Sequence, residues 1–331
     1  MIRFIYVEKR IKDLDYTAEI ISKFPGAETI EIENAREILK RPKQNFSAQK
    51  ACQQLILAAN DASFICAASD NCQDMGADEF YYCSLLKNCI YSCDYCYLQG
   101  TYKCGHLVAY VNLDDCFAAV RDLMREKSGN IFLPISYESD ILALEEVFGY
   151  VGKWADFLGN NAYDNLTVEV RTKCGSISLL RKLPKNMVTT WSLNPDSVIK
   201  RFEKCASPLE ERLKAIGKAL EIGNRVRIAI DPIIASCDVE KAEYEELVDR
   251  ISGLGILEKI EAVSVGCFRV PANFLKIMRK NAPDSPLSWD NYYFDGKTAT
   301  YSPEICKNYV NSIKNRLIMY GFDEKKIYIH E

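Results

Sequence analysis

At 331 residues the chain is too long for one small core, which leaves two domains or a single α/β barrel-like unit, and its 48% hydrophobic residues suffice to fill either. The 42 basic against 46 acidic residues give a formal charge of −4, which argues against a general nucleic-acid binder while allowing a local basic surface. No apolar run approaches membrane-spanning length, and fourteen cysteines without a signal peptide indicate a reducing cytoplasm, with thiols as ligands or packing and not as a disulfide framework.

Met1 to Val7 is apolar and β-prone, Asp15 to Phe24 has helical spacing, and Glu28 to Ile32 reads as a second strand. Together they predict a small α/β unit. Its charges, Lys9, Arg10, Lys12, Arg41, Lys43 and Lys50, read as a solvated face. The segment Gln53 to Ala59 is ambiguous between strand and helix. The polar stretch Asp70 to Asp78 marks a soft boundary, giving an N-terminal α/β domain over 1–76 and a second domain over 77–331.

Phe80 to Leu86 reads as a strand that delivers a cysteine-rich loop, and Asp114 to Lys127 has the apolar spacing of a helix. Strand patterns follow at Ile131–Ile135, Leu166–Arg171, Met187–Leu193, Val226–Ile230 and Ala262–Val265. Helical patterns alternate with them at Asp140–Phe157, Ser176–Leu183, Ser207–Glu221, Val239–Ile251, Pro271–Lys280 and Pro303–Tyr320. The clearest helix start is Ser207-Pro208-Leu209-Glu210, which reads as a capping box with proline in the first turn. Strand-helix repeats imply a parallel sheet with right-handed crossovers. Six strands, counting the one before the cysteines, predict a partial (β/α)6 TIM-like barrel with a C-terminal extension, whose chemistry belongs at the C-terminal strand ends.

The chemistry-bearing stretch is Cys89-Ile90-Tyr91-Ser92-Cys93-Asp94-Tyr95-Cys96-Tyr97-Leu98-Gln99. Three thiols converge with no fourth cysteine close behind. Structural zinc sites usually close with four ligands in two separated pairs, whereas an iron-sulfur cluster can keep one iron for an outside ligand. A zinc site completed by Cys104 or His106, or chance clustering of small buried hydrophobes, remains as an alternative. The spacing resembles that of radical S-adenosylmethionine (radical SAM) enzymes, which implies Cys89, Cys93 and Cys96 as ligands of a 4Fe-4S cluster whose free iron binds SAM.

At the strand ends, Ser139 and Asp140 can cap the next helix or bind the ammonium and ribose of SAM. Lys173 is either solvated or a charge-assisted partner for the SAM carboxylate. The later strands end in Ser192-Leu193-Asn194, in Asp231-Pro232 with Cys237 nearby, and in Gly266-Cys267-Phe268-Arg269.

Beyond the cysteines, Tyr95-Cys96-Tyr97-Leu98-Gln99 with Tyr110-Val111-Asn112, Ser139-Asp140-Ile141, Thr172-Lys173, Ser192-Leu193-Asn194, Val198-Ile199-Lys200, Phe202-Glu203 and Ser207-Pro208-Leu209 resemble the spore photoproduct lyase family. Phe4 to Glu8 and Tyr293 to Tyr301 are weaker matches. The resemblance implies a radical SAM carbon-carbon lyase that repairs 5-thyminyl-5,6-dihydrothymine in DNA. The 5′-deoxyadenosyl radical takes hydrogen from C6, the methylene bridge breaks by β-scission, and the resulting thymine radical receives a hydrogen atom. An electron donor such as ferredoxin or flavodoxin is implied as well. Carried over residue by residue, Tyr95, Ser139, Lys173 and Ser192 line the SAM site, and Tyr95 and Tyr97 help return the radical to SAM.

One departure stands out: the cysteine that the family places two residues before its Ser-Asp pair, as hydrogen donor, is Tyr137 here. A phenol is a slower donor than a thiol. Tyr137 itself, or Cys174, Cys237, Cys267 or Cys72, is then the candidate donor, or the enzyme acts on a different substrate. A third possibility is a noncatalytic metal-stabilised nucleic-acid-binding protein, expected to be colourless and zinc-loaded. Arg269, Arg279, Lys280 and Lys297 are the candidates for a DNA-facing wall.

Overall fold

The computed structural model describes residues 2–68, 74–161, 163–236 and 238–330. Cys72 and Cys237 lie outside the described residues. The chain forms two compact units, Met1–Ile90 with Thr101–Val170, and Tyr91–Gly100 with Arg171–Glu331.

Up to residue 172 the strands are β1 (Phe4–Glu8), β2 (Glu28–Ile32), β3 (Leu55–Ala58), β4 (Ile65–Ala67), β5 (Glu79–Cys83), β6 (Leu86–Lys87), β7 (Ser92–Cys93), β8 (Leu107–Tyr110), β9 (Ile131–Pro134) and β10 (Leu166–Thr172). All but β7 belong to the first unit, which β10 leaves at Val170. One sheet runs β2-β1-β3-β8-β6, parallel except for the β6–β8 pair. All four residues of β3 are buried, because a central strand covered on both faces needs a continuous apolar run and not an alternating one. That settles the ambiguous Gln53 to Ala59 segment as a strand. In the same unit β5 pairs with β9 and β9 with β10 in parallel, and β4 adds antiparallel to β5.

The helix Leu113–Glu126 packs through Leu113, Cys116, Val120 and Leu123. The helix expected over Asp140–Phe157 instead forms as a 3₁₀ turn Leu142–Leu144 and two helices, Glu145–Phe148 and Tyr150–Gly159. Gly149 breaks it at φ +61, a left-handed conformation that glycine adopts without a Cβ penalty. The Glu145 carboxylate stabilises the restart by accepting the Val151 and Gly152 N–H groups, each at 2.8 Å.

In the second unit β11 (Met187–Ser192), β13 (Arg225–Ile233), β14 (Ala262–Cys267) and β18 (Ile327–His330) are successive parallel neighbours. Between them lie β12 (Glu203–Lys204), paired with β7, and a small antiparallel sheet of β15 (Arg269–Pro271), β16 (Tyr293–Asp295) and β17 (Thr298–Thr300). The helices Leu209–Glu221, Lys241–Gly253, Ala272–Asn281 and Pro303–Met319 form close to their expected limits.

Two expectations fail here. Ser176–Leu183 makes only a 3₁₀ turn at Ile177–Leu179 with no buried residue, so the apolar spacing has no face to bury. Ser207 does not cap its helix: Pro208 is the N-cap residue, and the Ser207 hydroxyl accepts the Gly175 N–H at 2.9 Å. The capping box sits instead at Glu240 and Glu243. Strand β18 and the helix Asp196–Phe202 were not expected. Among the described residues no helix is long and apolar enough to cross a membrane.

Candidate active site

Each unit carries part of the cysteine motif. In the first, β6 leads into Asn88, whose φ of +63 turns the chain toward Cys89. Asparagine tolerates this left-handed conformation better than most residues. Its side-chain amide anchors the turn by donating to the carbonyls of Cys104 at 2.8 Å and His106 at 2.7 Å. The Cys89 carbonyl accepts from Lys50 Nζ and, at 3.1 Å, from Gln53 Nε2. His106 Nδ1 accepts the Gln54 N–H at 3.2 Å, and burial together with the Arg41 charge lowers its pKa. Cys104 is buried, and burial raises its thiol pKa.

In the second unit, residues 91–100 form the rest of the loop. Strand β7 pairs antiparallel with β12, Cys93 opposite Glu203 and Ser92 opposite Lys204. The Asp94 N–H donates to the Phe202 carbonyl at 2.8 Å, and Lys204 Nζ donates to the Asp94 carboxylate at 2.9 Å. The Gln99 amide spans the turn to the carbonyls of Cys93 and Asp94, at 3.3 and 3.0 Å, and the Tyr97 carbonyl accepts from Gly100. Gly100 ends the loop against Phe274: a Cβ there would overlap the Cβ and Cγ atoms of the Phe274 side chain. Beyond β12, Cys205 is exposed and takes a φ of +68.

Tyr95, between the second and third cysteines, is buried with its hydroxyl on the Glu203 carboxylate. The sequence pattern assigns Glu203 no role of its own. Its Oε1 also accepts from Asn194 Nδ2 at 3.0 Å, and its Oε2 meets Arg212 Nη2. Neither charged side chain of that pair has any exposed surface. Arg212 also donates to the carbonyls of Ser207 and Ser192, both at 2.8 Å, while Asn194 Oδ1 accepts from the Tyr244 hydroxyl at 3.0 Å. Burial pushes the Glu203 carboxyl up, but Arg212, Lys173, Tyr95 and Asn194 together hold it below its ordinary range. Lys173 Nζ lies 5.6 Å from the Tyr95 ring centre, within cation–π reach. The second unit therefore gathers Tyr95 with Lys173, and Ser192 through Arg212.

In the first unit, Tyr137 and Ser139 share the turn after β9. The Tyr137 ring stacks on Tyr82 with centroids 4.6 Å apart. Glu138 accepts the hydroxyls of Tyr102 and Ser84. Asp140 Oδ1 accepts the Ala143 N–H at 3.1 Å, so the capping reading holds for Asp140. Ser139 does not cap: its hydroxyl is buried and has no hydrogen-bond partner among the described residues.

The cysteines named as substitute donors are differently placed. Cys174 is buried, and its sulfur accepts the Ser176 N–H at 3.5 Å. Cys267, at the end of β14, is buried and hydrogen-bonded to Cys306, which raises its own pKa and lowers that of Cys306 to about 7. Of the basic candidates, Arg269 pairs with Asp231 at 3.2 Å, and Arg279 Nε donates to the Ser288 carbonyl at 2.6 Å. Lys280 and Lys297 are exposed, as are Trp289, Tyr293 and Phe294.

The profile described as spore photoproduct lyase matches residues 69–311. A spore photoproduct lyase of Geobacillus sp. is 27% identical over 217 residues, 63% of this chain and 62% of that protein. One of Clostridium acetobutylicum is 29% identical over 180 residues, 52% of each. The matched stretches thus span three fifths and about half of these relatives' lengths. A solved spore photoproduct lyase mutant with bound AdoMet and dinucleoside spore photoproduct superposes with a TM-score of 0.80 at 20% identity, covering 100% of this chain and 98% of that one. The likeness bears out the α/β, TIM-like fold expected from the strand pattern. With the family profile matched along most of its length, this chain belongs to the spore photoproduct lyase family.

Proposed function

We propose that this chain repairs 5-thyminyl-5,6-dihydrothymine in DNA by radical SAM chemistry. The observation that carries the reading is the extent of the family match, residues 69–311, which takes in Cys89, Cys93 and Cys96 together with Ser139, Lys173 and Ser192. Two further observations support it. The soft thiolate donors of the motif suit an iron-sulfur cluster. A buried hydroxyl without a partner, as at Ser139, is costly unless a bound molecule satisfies it.

When bound, a 4Fe-4S cluster and SAM supply, on receipt of one electron from a donor such as ferredoxin or flavodoxin, the 5′-deoxyadenosyl radical that abstracts hydrogen from C6. Cys89, Cys93 and Cys96 hold the cluster as thiolates. Ser139 donates to or accepts from the polar groups of SAM, Lys173 offers its ammonium to the SAM carboxylate, and Ser192 lines the same site. The lesion leaves the base stack to reach the site, at lower cost for a damaged pair than for an intact one. Loss of the C6 hydrogen lets the methylene bridge break by β-scission, leaving a thymine methylene radical; Tyr137 then gives it the phenolic hydrogen, its O–H bond breaking as the methyl C–H bond forms, and Tyr95 and Tyr97 carry the radical back toward SAM. Stacking on Tyr82 fixes the Tyr137 ring for that transfer. The location is cytoplasmic, where reduced thiols and the electron donor coexist.

The second reading, a family enzyme on a different substrate, is favoured by one observation, the phenol of Tyr137 where the family donor is a thiol. Anaerobically reconstituted protein given SAM, reductant and the synthetic dinucleotide photoproduct separates the two. Thymidylyl-thymidine formed together with 5′-deoxyadenosine establishes the repair reaction. Deoxyadenosine without repair moves the chemistry to another substrate.

A further inference from the structure

A carboxylate with no exposed surface is tolerated only when its charge and its lone pairs are met. At Glu203 the partners that meet them come from separate parts of the second unit. One is Tyr95, between Cys93 and Cys96; one is Asn194, just past β11; one is Arg212, on the helix Leu209–Glu221. Arg212 ties the group to the Ser192 carbonyl, and Tyr244 reaches Asn194 from the helix Lys241–Gly253. The backbone adds to this, since Glu203 is also the residue paired with Cys93.

We infer that Glu203 is a positioning residue: its carboxylate, held by Arg212, fixes Tyr95 and so sets the Cys93–Cys96 turn in register with Ser192 before any cluster is assembled. The inference rests on the reading that Cys93 and Cys96 hold the cluster and Ser192 lines the SAM site. A purely structural ion pair would need only Arg212. Here one oxygen of Glu203 is given to Tyr95 and Asn194. The hydroxyl of Tyr95 is therefore the handle by which a buried charge holds an otherwise irregular loop.

Two variants test this on the full chain. Tyr95→Phe removes the handle and leaves the Glu203–Arg212 pair; Glu203→Gln keeps the shape and removes the charge. Amide hydrogen exchange is followed in metal-free protein, so failure of the repair reaction would leave this result standing. Residues 91–100 are expected to exchange about tenfold faster in Tyr95→Phe, as loss of a hydrogen bond to a charged group implies, while the helices 209–221 and 241–253 keep parental rates. Unchanged exchange over 91–100 would overturn the inference, and so would an equal acceleration throughout the unit, which would reduce Glu203 to a stabilising residue. In reconstituted protein the electron paramagnetic resonance signal of the reduced cluster, and its change on adding SAM, is expected to differ from the parent in both variants. A signal identical to the parent's would remove the link between Glu203 and the cluster site.

Discussion

The Glu203–Arg212 pair illustrates how much a single buried charge can depend on one partner. Replacing both by apolar side chains of similar volume can be nearly neutral, but removing one leaves the other uncompensated. Arg212→Leu is therefore expected to lower unfolding stability by about 3–5 kcal/mol, measured by urea denaturation, and the double variant Glu203→Leu/Arg212→Leu to recover part of it. None of this was legible in the sequence. Tyr95 and Glu203 are 108 positions apart, and nothing in the letters Phe202-Glu203 says that the carboxylate is buried. By contrast, the cysteine spacing and the tyrosine at position 137, two residues before Ser139-Asp140, are local patterns that a sequence displays directly. A second residue-scale prediction concerns Cys306. Its hydrogen bond with Cys267 leaves the proton on Cys267 and favours the thiolate at Cys306. Alkylation of Cys306 by iodoacetamide should rise through a midpoint of about pH 7, with Cys267 unmodified over the same range. A midpoint near 9, the ordinary thiol value, would show that the pair does not share a proton in this way.

Among the elements, the cysteine loop is held by its neighbours more than by its own propensity. Residues 91–100 contain one two-residue strand and part of one short helix, so their order comes from β12, from Gln99 and from the contact with Phe274. Gly100→Ala places a methyl group inside the Phe274 side chain, at its stem and not its mobile tip, so the loop or the helix Ala272–Asn281 must shift. We expect a loss of about 1–3 kcal/mol, the usual cost of overpacking, with partial rescue in Gly100→Ala/Phe274→Ala. If Gly100→Ala melts like the parent, the close approach is not maintained in solution. The central parallel strands were legible because strands buried on both faces are written in runs of β-branched, small and apolar residues without charges, as in Met187–Ser192 and Ala262–Cys267, where every residue is buried. Strand β18 was not, because a half-exposed edge strand of four residues needs no such run. Ser176–Leu183 misled for the opposite reason: its apolar letters are spaced like a helix, but Ile177 points to solvent.

For the whole molecule, the parallel architecture and the family followed from the order of patterns along the chain, whereas the way each unit closes on itself did not. Gly149 is one example, turning one expected helix into two. The pH response is another property of the fold as a whole. Burial raises the Glu261 carboxyl, but Arg225 and Arg227 outweigh it and hold the group below its ordinary value of 4.5. A depressed folded-state pKa adds stability above the unfolded value that is lost as pH falls through the folded one. Acid titration of the melting temperature should therefore show a decline below about pH 4.5 that is shallower in Glu261→Gln. An unchanged slope would assign the acid sensitivity to other carboxylates. Cys205 carries a different consequence. It stands exposed in a left-handed turn immediately behind the strand that backs Cys93, so in air two copies of the chain can become covalently joined at that point. Material handled outside a glove box would then contain a reducible dimer on non-reducing gels, with its crosslink beside the cysteine loop, and Cys205→Ser should keep such preparations monomeric through that residue.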